Sequence, residues 1–295
     1  MANEQHSWDA ENMPTMHKCT SGEEASIVEG AGACLSRHSA NRNKRTGFLT
    51  KSSCNYRWQA FRRALDSDDT TYNWPAYEDI QHLVQKTQRG PLRKTIDLLS
   101  RTRKGRKRQP VPTESTKAWD ISGGGENFQT RCNRPYWHES HHIIPNGELQ
   151  ESIAEAADGE PLAPVHVRLI RGGLLREKYN LNHTHNMIIL PMAKEVAYAL
   201  GLPRHRVSAS TRSHSAYSNK VKQDLDKIFK PIQQQAQEHR KRPDYGGCKR
   251  ALVAMEGVYR ADIVAGGKAK KAARDVENNA LEDIFAPPQG AAGSL

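Results

Sequence analysis

The feature that most constrains the fold is a histidine-rich segment in the second half of the chain. Eight of the thirteen histidines lie between residues 131 and 230. They are interleaved with two short apolar runs that both end in proline, HHIIP (141–145) and NMIILP (186–191). Such runs are typical of strands, and proline marks their ends because it has no backbone N–H for the ladder. We expect the two runs to pair as an antiparallel hairpin with a long intervening excursion.

Three further elements are predicted within and after this excursion. LQESIAEAA (149–157) has helical periodicity, and MAKEVAYALG (192–201) has the pattern of a short helix that Gly201 can terminate. Between them, PVHVRLIRG (164–172) favours a strand because its residues alternate. The alternation sets Val165, Val167 and Leu169 against His166, Arg168 and Ile170.

The segment SHSAYSNKVKQDLDKIF (213–229) predicts an amphipathic helix. Ser213 is available as its N-cap, which would put His214 in the first turn. Residues at steps of three and four share one helix face. Here they are His214, Tyr217, Val221, Leu225 and Ile228. His214 is therefore expected to point inward.

An inward histidine at the start of this helix would face a strand that opens with His141 and His142, and this predicts a metal-binding cradle. Successive side chains of a strand point to opposite faces, so the two histidines should diverge. Both can reach one site only if the pair lies at the frayed start of the strand or on a bulge. His138 is expected outside the ligand set, and His166 is expected to be exposed.

The order HHIIP, NMIILP and SHSAYSNKV resembles the AHH subgroup of the HNH/endonuclease VII superfamily over roughly residues 132–230. These are nucleases with a ββα-metal fold, and many are toxin domains of bacterial competition systems. The resemblance implies an α+β fold with an HNH-like ββα-metal core. We expect a mainly helical N-terminal region before this core and a loosely ordered C-terminal tail after it.

The resemblance also implies roles for individual residues. His141 matches the metal ligand of the first strand, and His142 matches the general base that activates water. Asn186 matches the asparagine that fixes the loop around that base. His214 matches the metal ligand carried by the helix.

The chain departs from the family pattern at two points. Ser140 stands where the subgroup has alanine, and Ser210 stands where the family commonly has a second histidine close to the helix. His205 is the first candidate for the missing third metal ligand. His183 and His185 are the alternatives.

These residue types suit hydrolysis of a phosphodiester. The reaction needs a base for water and a cation against the charge that develops on the phosphate. Imidazole can serve as the base near neutral pH and also ligates transition metals. One divalent ion is expected, with zinc, nickel, manganese and magnesium all open. Arg212 and Lys220, on either side of His214, are expected to hold phosphates.

Charge and cysteine usage narrow the class of protein. The net charge is +11 and the mean hydropathy is −0.80, which favours nucleic acid or an anionic membrane surface as partner. No apolar stretch approaches the ~18 residues of a membrane span. The five cysteines are scattered and form no CxxC pair. This argues against a disulfide framework and against a cysteine-based zinc module.

Composition divides the chain into five parts. Residues 1–54 are expected to be poorly ordered, and 55–115 to form a small helical region. Residues 116–130, which include three consecutive glycines, are expected to be a linker. The nuclease domain is expected at 131–230 and a C-terminal extension at 231–295.

The sequence therefore predicts a metal-dependent, largely sequence-non-specific endonuclease that acts on DNA in preference to RNA. By resemblance its setting is an antibacterial effector, such as one delivered by type VI secretion with a carrier or chaperone, and neutralised by an immunity protein. The N-terminus lacks the pattern of a cleaved signal peptide. We therefore expect synthesis in the cytoplasm and delivery into the target cell.

Two alternatives stay open. One is a phage or housekeeping HNH endonuclease, which expression without an inhibitor would separate from a toxin. The other is a non-catalytic nucleic-acid-binding protein with a structural zinc site, which four protein ligands and no open position would favour.

Overall fold

The computed structural model describes residues 2–22, 30–38, 51–66, 138–157, 163–191, 194–207, 214–237 and 243–287. The expected linker at 116–130, Arg212 and most of the expected helical region at 55–115 lie outside these ranges. In chain order the described elements are α1 (Ala2–Asn12), α2 (Tyr56–Asp66), β1 (His138–His142), α3 (Asn146–Ala157), α4 (Ala163–Arg176), a 3-10 helix (Thr184–Asn186), β2 (Met187–Pro191), α5 (Lys194–Leu200), α6 (Ser215–Gln237), α7 (Tyr245–Ala272) and α8 (Leu281–Phe285).

The fold combines these helices with a two-stranded sheet of β1 and β2, as the α+β expectation requires. The Ile143 amide, just after β1, donates to the Asn186 carbonyl, just before β2, at 2.9 Å. The end of one strand thus lies beside the start of the other, so the pair is antiparallel. Among the described residues, none of the helices combines the length and apolarity that crossing a bilayer requires.

The chain forms two compact units that are interleaved in sequence. The first contains Met1–Asp66, Ser140–Ile188 and Val221–Arg260. The second contains Ser67–Glu139, Ile189–Lys220 and Ala261–Leu295. The five-part division expected from composition stays a prediction.

In the first unit, α3 packs against α4, and α2 packs against the 3-10 helix. Leu149 and Ile153 of α3 are buried, as are Ile170 and Leu174 of α4. Arg171 of α4 extends the packing to α1, because its guanidinium pairs with the buried Asp9 carboxylate. Two buried opposite charges in contact offset the cost of removing each from water.

In the second unit, the loop after α5 is held by the C-terminal segment. Gly201, with φ +70°, terminates α5 as expected, since glycine tolerates the left-handed conformation. The Arg204 amide donates to the Asn279 carbonyl, and the Leu281 amide donates to the Arg204 carbonyl, both at 2.9 Å. These bonds fix the segment that precedes His205.

The strand expected at 164–172 is wrong, because these residues belong to helix α4. Residues 170–175 are all buried, whereas two of the alternating residues, Val165 and Leu169, are 46% and 58% exposed. Apart from two glycines, the buried residues are Ile170, Arg171, Leu174 and Leu175. Burial of these side chains outweighed the β-propensity of the valines.

The expectation of a loosely ordered C-terminal tail is also wrong in part. Within residues 231–295, Tyr245–Ala272 is a helix of 28 residues. Its large buried apolar residues recur at steps of three and four, which offsets the low helix propensity of its five glycines. They are Cys248, Leu252, Met255, Tyr259 and Ile263.

Helix α7 buries a carboxyl group in the first unit. The Tyr179 hydroxyl donates to Glu256 Oε1 at 3.0 Å. Burial raises the pKa of the Glu256 carboxyl to about 8, although the bond from Tyr179 opposes the shift. The side chain is therefore neutral in the folded chain at pH 7 and charged in the unfolded chain.

A pH-dependent stability follows from Glu256. Its folded pKa lies above the ordinary 4.5, so the stability it contributes is present below pH 4.5 and is lost as the pH rises towards 8. Glu256→Gln keeps an acceptor for Tyr179 and removes the titration. We expect its advantage over wild type to grow by on the order of 3 kcal/mol between pH 5 and pH 8.

Urea unfolding at several pH values measures this advantage. Glu151→Gln, at an exposed position of α3, is the matched control and should follow wild type throughout. An advantage of Glu256→Gln that is the same at pH 5 and pH 8 would contradict the neutral buried carboxyl.

Candidate functional site

Asn186 fixes the loop that follows β1. It lies at the end of the 3-10 helix, is fully buried, and belongs to the first unit. Its side-chain oxygen accepts from the Ile144 amide at 2.6 Å, and its side-chain nitrogen donates to the carbonyls of Ile144 and Leu181 at 3.2 and 2.8 Å. One amide thus satisfies three buried main-chain groups, which would otherwise lack water as a partner.

His142 is the last residue of β1 and is buried in the first unit. Its Nε2 lies 3.0 Å from Asn182 Oδ1. The Asn182 amide is oriented by its nitrogen, which donates to the Ser36 carbonyl at 2.9 Å. Asn182 Oδ1 can only accept, so His142 Nε2 must carry the proton and the neutral ring has its lone pair on Nδ1. This is the tautomer that a base acting through Nδ1 needs.

The surroundings of His142 keep its ring neutral. Burial and, less strongly, the nearby positive charge of Arg37 lower the pKa of His142 to about 3, although the bond to Asn182 opposes the shift. The Tyr56 ring is also close, with ring centroids 5.1 Å apart. A neutral imidazole can accept a proton, whereas an imidazolium cannot.

His141 is also buried and precedes His142 on β1. The pair occupies the last two positions of the strand, so the expected location at its start is wrong. Strand alternation directs His141 away from the face that His142 uses toward Asn182. By the same period of two, His141 shares its face with Glu139.

The second unit brings together His205, His214 and Glu139. The rings of His205 and His214 have centroids 5.4 Å apart. His205 Nδ1 lies 2.9 Å from Glu139 Oε2, which also accepts from Arg206 at 2.5 Å. A carboxylate oxygen can only accept, so His205 Nδ1 carries a proton, and Nε2 is the ring nitrogen that can offer a lone pair. Carboxylate–histidine pairs of this kind commonly orient metal-ligating imidazoles.

His214 immediately precedes α6, one residue before the predicted first turn. Its carbonyl accepts from the Ser218 amide at 2.9 Å, and its ring makes an edge contact with the buried Tyr217 at 5.4 Å. Burial and, less strongly, the neighbouring His205 lower the pKa of His214 to about 4. The ring is therefore neutral near pH 7, the state in which histidine ligates a metal.

The remaining residues singled out in the sequence lie in different surroundings. His183 Nδ1 accepts from the His185 amide at 3.3 Å, and both residues line a small cavity in the first unit with Lys249 and Glu256. Lys220 is exposed on α6. His166 is half-buried on α4, where an exposed strand residue was expected.

Sequence reasoning missed Asn182 and Glu139. Asn182 gave no local signal, because asparagine in a loop is usually a turn residue. Glu139 did give one, since it stands two residues before His141 and shares its strand face.

A comparison with protein families adds to this geometry. Residues 122–246 match the model of the AHH family, a nuclease family of the HNH/ENDO VII superfamily with conserved AHH. The resemblance seen in the sequence is confirmed over this range. The AHH segment, residues 122–246, contains β1, β2 and α6 and all the residues expected in the site. Comparisons with curated proteins and with solved structures gave no match.

Replacement of Asn186 tests its positioning role. Asn186→Ala leaves three buried main-chain groups without their partner, so we expect the free energy of unfolding to fall by about 2–4 kcal/mol. Urea unfolding followed by circular dichroism measures the change. Asn12→Ala removes one exposed bond to the Trp8 carbonyl and should cost under about 1 kcal/mol. Equal losses in the two variants would contradict the role of Asn186.

Proposed function

We propose that this protein is a metal-dependent, largely sequence-non-specific endonuclease that hydrolyses DNA. The observation that carries the proposal is the AHH match over residues 122–246, since it assigns the segment to a nuclease family. The basic charge of the chain supports a polyanionic substrate, because lysine and arginine attract the phosphate backbone without reading bases.

We propose β1, β2 and the start of α6 as the ββα core, with His142 as general base. Its Nε2 donates to Asn182, so Nδ1 takes the proton of the attacking water. Asn186 positions this base indirectly, through the main chain of Ile143 and Ile144. It touches no reacting atom and is a positioning residue.

We propose His141, His205 and His214 as ligands of one divalent ion. The donor set supports this: the low pKa of His214 keeps its ring neutral, and Glu139 sets the tautomer that leaves the His205 lone pair on Nε2. His141 shares a strand face with Glu139, which supports its inclusion. Three imidazoles suit zinc, nickel or manganese better than magnesium. When bound, such an ion supplies positive charge against the phosphate in the transition state.

Arg212 and Lys220 flank His214 in the sequence, and we propose that they hold phosphates on either side of the cleaved bond. Lysine and arginine bind phosphate oxygens without distinguishing bases. This agrees with cleavage that depends little on sequence. The wider setting that we propose is an antibacterial toxin, delivered by a secretion system and held in check by an immunity protein in the producing cell.

Cleavage by purified protein tests the catalytic roles. With a divalent ion, wild type should nick and linearise supercoiled plasmid, and chelator should stop it. His142→Ala should lower the rate by about 100-fold or more through loss of the base. His205→Ala and His214→Ala should lose activity that added metal partly restores. His166→Ala, a half-buried histidine of the same segment, is the matched control and should cleave as wild type does.

The possible outcomes test the nuclease activity separately from the role of His142 and from the choice of substrate. Intact plasmid, linear DNA and RNA with every divalent ion tried would refute the nuclease. Cleavage by His142→Ala at the wild-type rate would refute the base and leave the class standing. Faster cleavage of RNA than of DNA would overturn the substrate.

Expression in a bacterial host tests the toxin. Induction of wild type without an inhibitor should stop growth and degrade the host chromosome, because a non-specific nuclease spares no DNA it can reach. His142→Ala, expressed to the same level, should be tolerated. Normal growth with active wild-type nuclease in the lysate would favour the phage or housekeeping endonuclease.

A further inference from the structure

A second cluster of metal-ligating side chains lies in the first unit, apart from the residues proposed for cleavage. It consists of His6, His17, Cys34 and Cys54, and all four are buried. One ligand atom from each lies within 4.8 Å of the other three. None of the roles proposed above uses these side chains.

The spacing of these atoms is close to that of a tetrahedral zinc site. Zn–S and Zn–N bonds of about 2.3 and 2.0 Å place the ligands of such a site about 3.3–3.8 Å apart. Cys54 Sγ and His17 Nε2 are already 3.9 Å apart. Closure around an ion therefore needs shifts of about 1 Å or less at each ligand.

The cluster also contains a polar atom that packing alone does not satisfy. His6 Nδ1 is buried and has no hydrogen-bond partner among the described residues. The His6 ring lies against the rings of His17 and His38, with centroids 4.7 and 3.7 Å away. A group of imidazoles buried together has few donors and acceptors to offer one another, and a cation resolves this.

We propose that His6, His17, Cys34 and Cys54 form a closed structural zinc site. Two thiolates with two imidazoles select zinc among the common divalent ions, and four protein ligands leave no position for substrate. The ligands come from α1, from the loop after it, and from the two segments around residues 34 and 54. Zinc would thus cross-link four stretches of the N-terminal region. This inference departs from the sequence-based expectation, which relied on the lack of a CxxC pair.

Zinc content tests the site independently of cleavage. The full chain carrying His214→Ala, which weakens the proposed catalytic site, is dialysed against metal-free buffer and its zinc is counted by mass spectrometry. We expect one zinc per chain. Adding Cys34→Ser or Cys54→Ser should abolish it, whereas Cys248→Ser, a buried thiol of α7, should retain it. Retention of zinc by Cys34→Ser and Cys54→Ser would overturn the proposal.

Cobalt provides a readout that does not depend on folding of the variants. Co²⁺ added to the zinc-depleted chain should give thiolate-to-cobalt charge-transfer absorption and the strong visible bands of a tetrahedral centre. Cys19→Ser should keep this spectrum, because the exposed Cys19 lies outside the ligand set. Depletion of zinc should also lower the Tm by about 10 °C or more. An absence of charge transfer, or a Cys34–Cys54 disulfide in peptides mapped without reductant, would overturn the site.

Discussion

The arrangement around β1 depends on two buried asparagine amides, Asn186 and Asn182. A buried main-chain group far from water must be paired within the protein, and Asn186 pairs three of them where the chain leaves β1. Asn182 pairs a buried imidazole: its side-chain oxygen accepts from His142, and its side-chain nitrogen donates to the Ser36 carbonyl. Neither amide can rotate without leaving a buried donor or acceptor unpaired. The position and the tautomer of His142 follow from these two side chains.

Local periodicity predicted several elements of this fold correctly. Helices α3, α5 and α6 and strand β2 follow from apolar spacing, because each has a one-sided burial pattern or a proline that ends it. The same reasoning failed at α4, where Val165 and Leu169 alternate like strand residues and yet are exposed. One partner of its buried residues lies far away in sequence, since Arg171 pairs with Asp9 of α1. No pattern within α4 encodes that contact.

The residues of the candidate site also divide into those that the sequence could predict and those that it could not. His141, His142, Asn186 and His214 could be assigned because short motifs around them keep a family order. The residues that hydrogen-bond to these side chains and set their tautomers could not be assigned from such motifs. Asn182 acts on His142 through one hydrogen bond, which leaves no spacing rule in the sequence. The spacing of Glu139 from His141 gives its strand face, but not its bond to His205, which is 66 residues away. The proximity of Cys34 and Cys54 was even harder to predict, since they are twenty residues apart and meet only through the tertiary fold.

The proposed zinc site and the proposed general base are connected through few bonds. Asn182 Nδ2 lies 3.5 Å from Cys34 Sγ, which as a thiolate can accept from it, and it also donates to the carbonyl of Ser36, two residues further along the chain. The same Asn182 holds His142 Nε2. If Cys34 is a zinc ligand, the metal fixes the segment 34–36, that segment orients the amide, and the amide sets the tautomer of the base. Loss of zinc would then impair His142 without touching it, so the N-terminal region would be part of the catalytic unit and not an appendage to it.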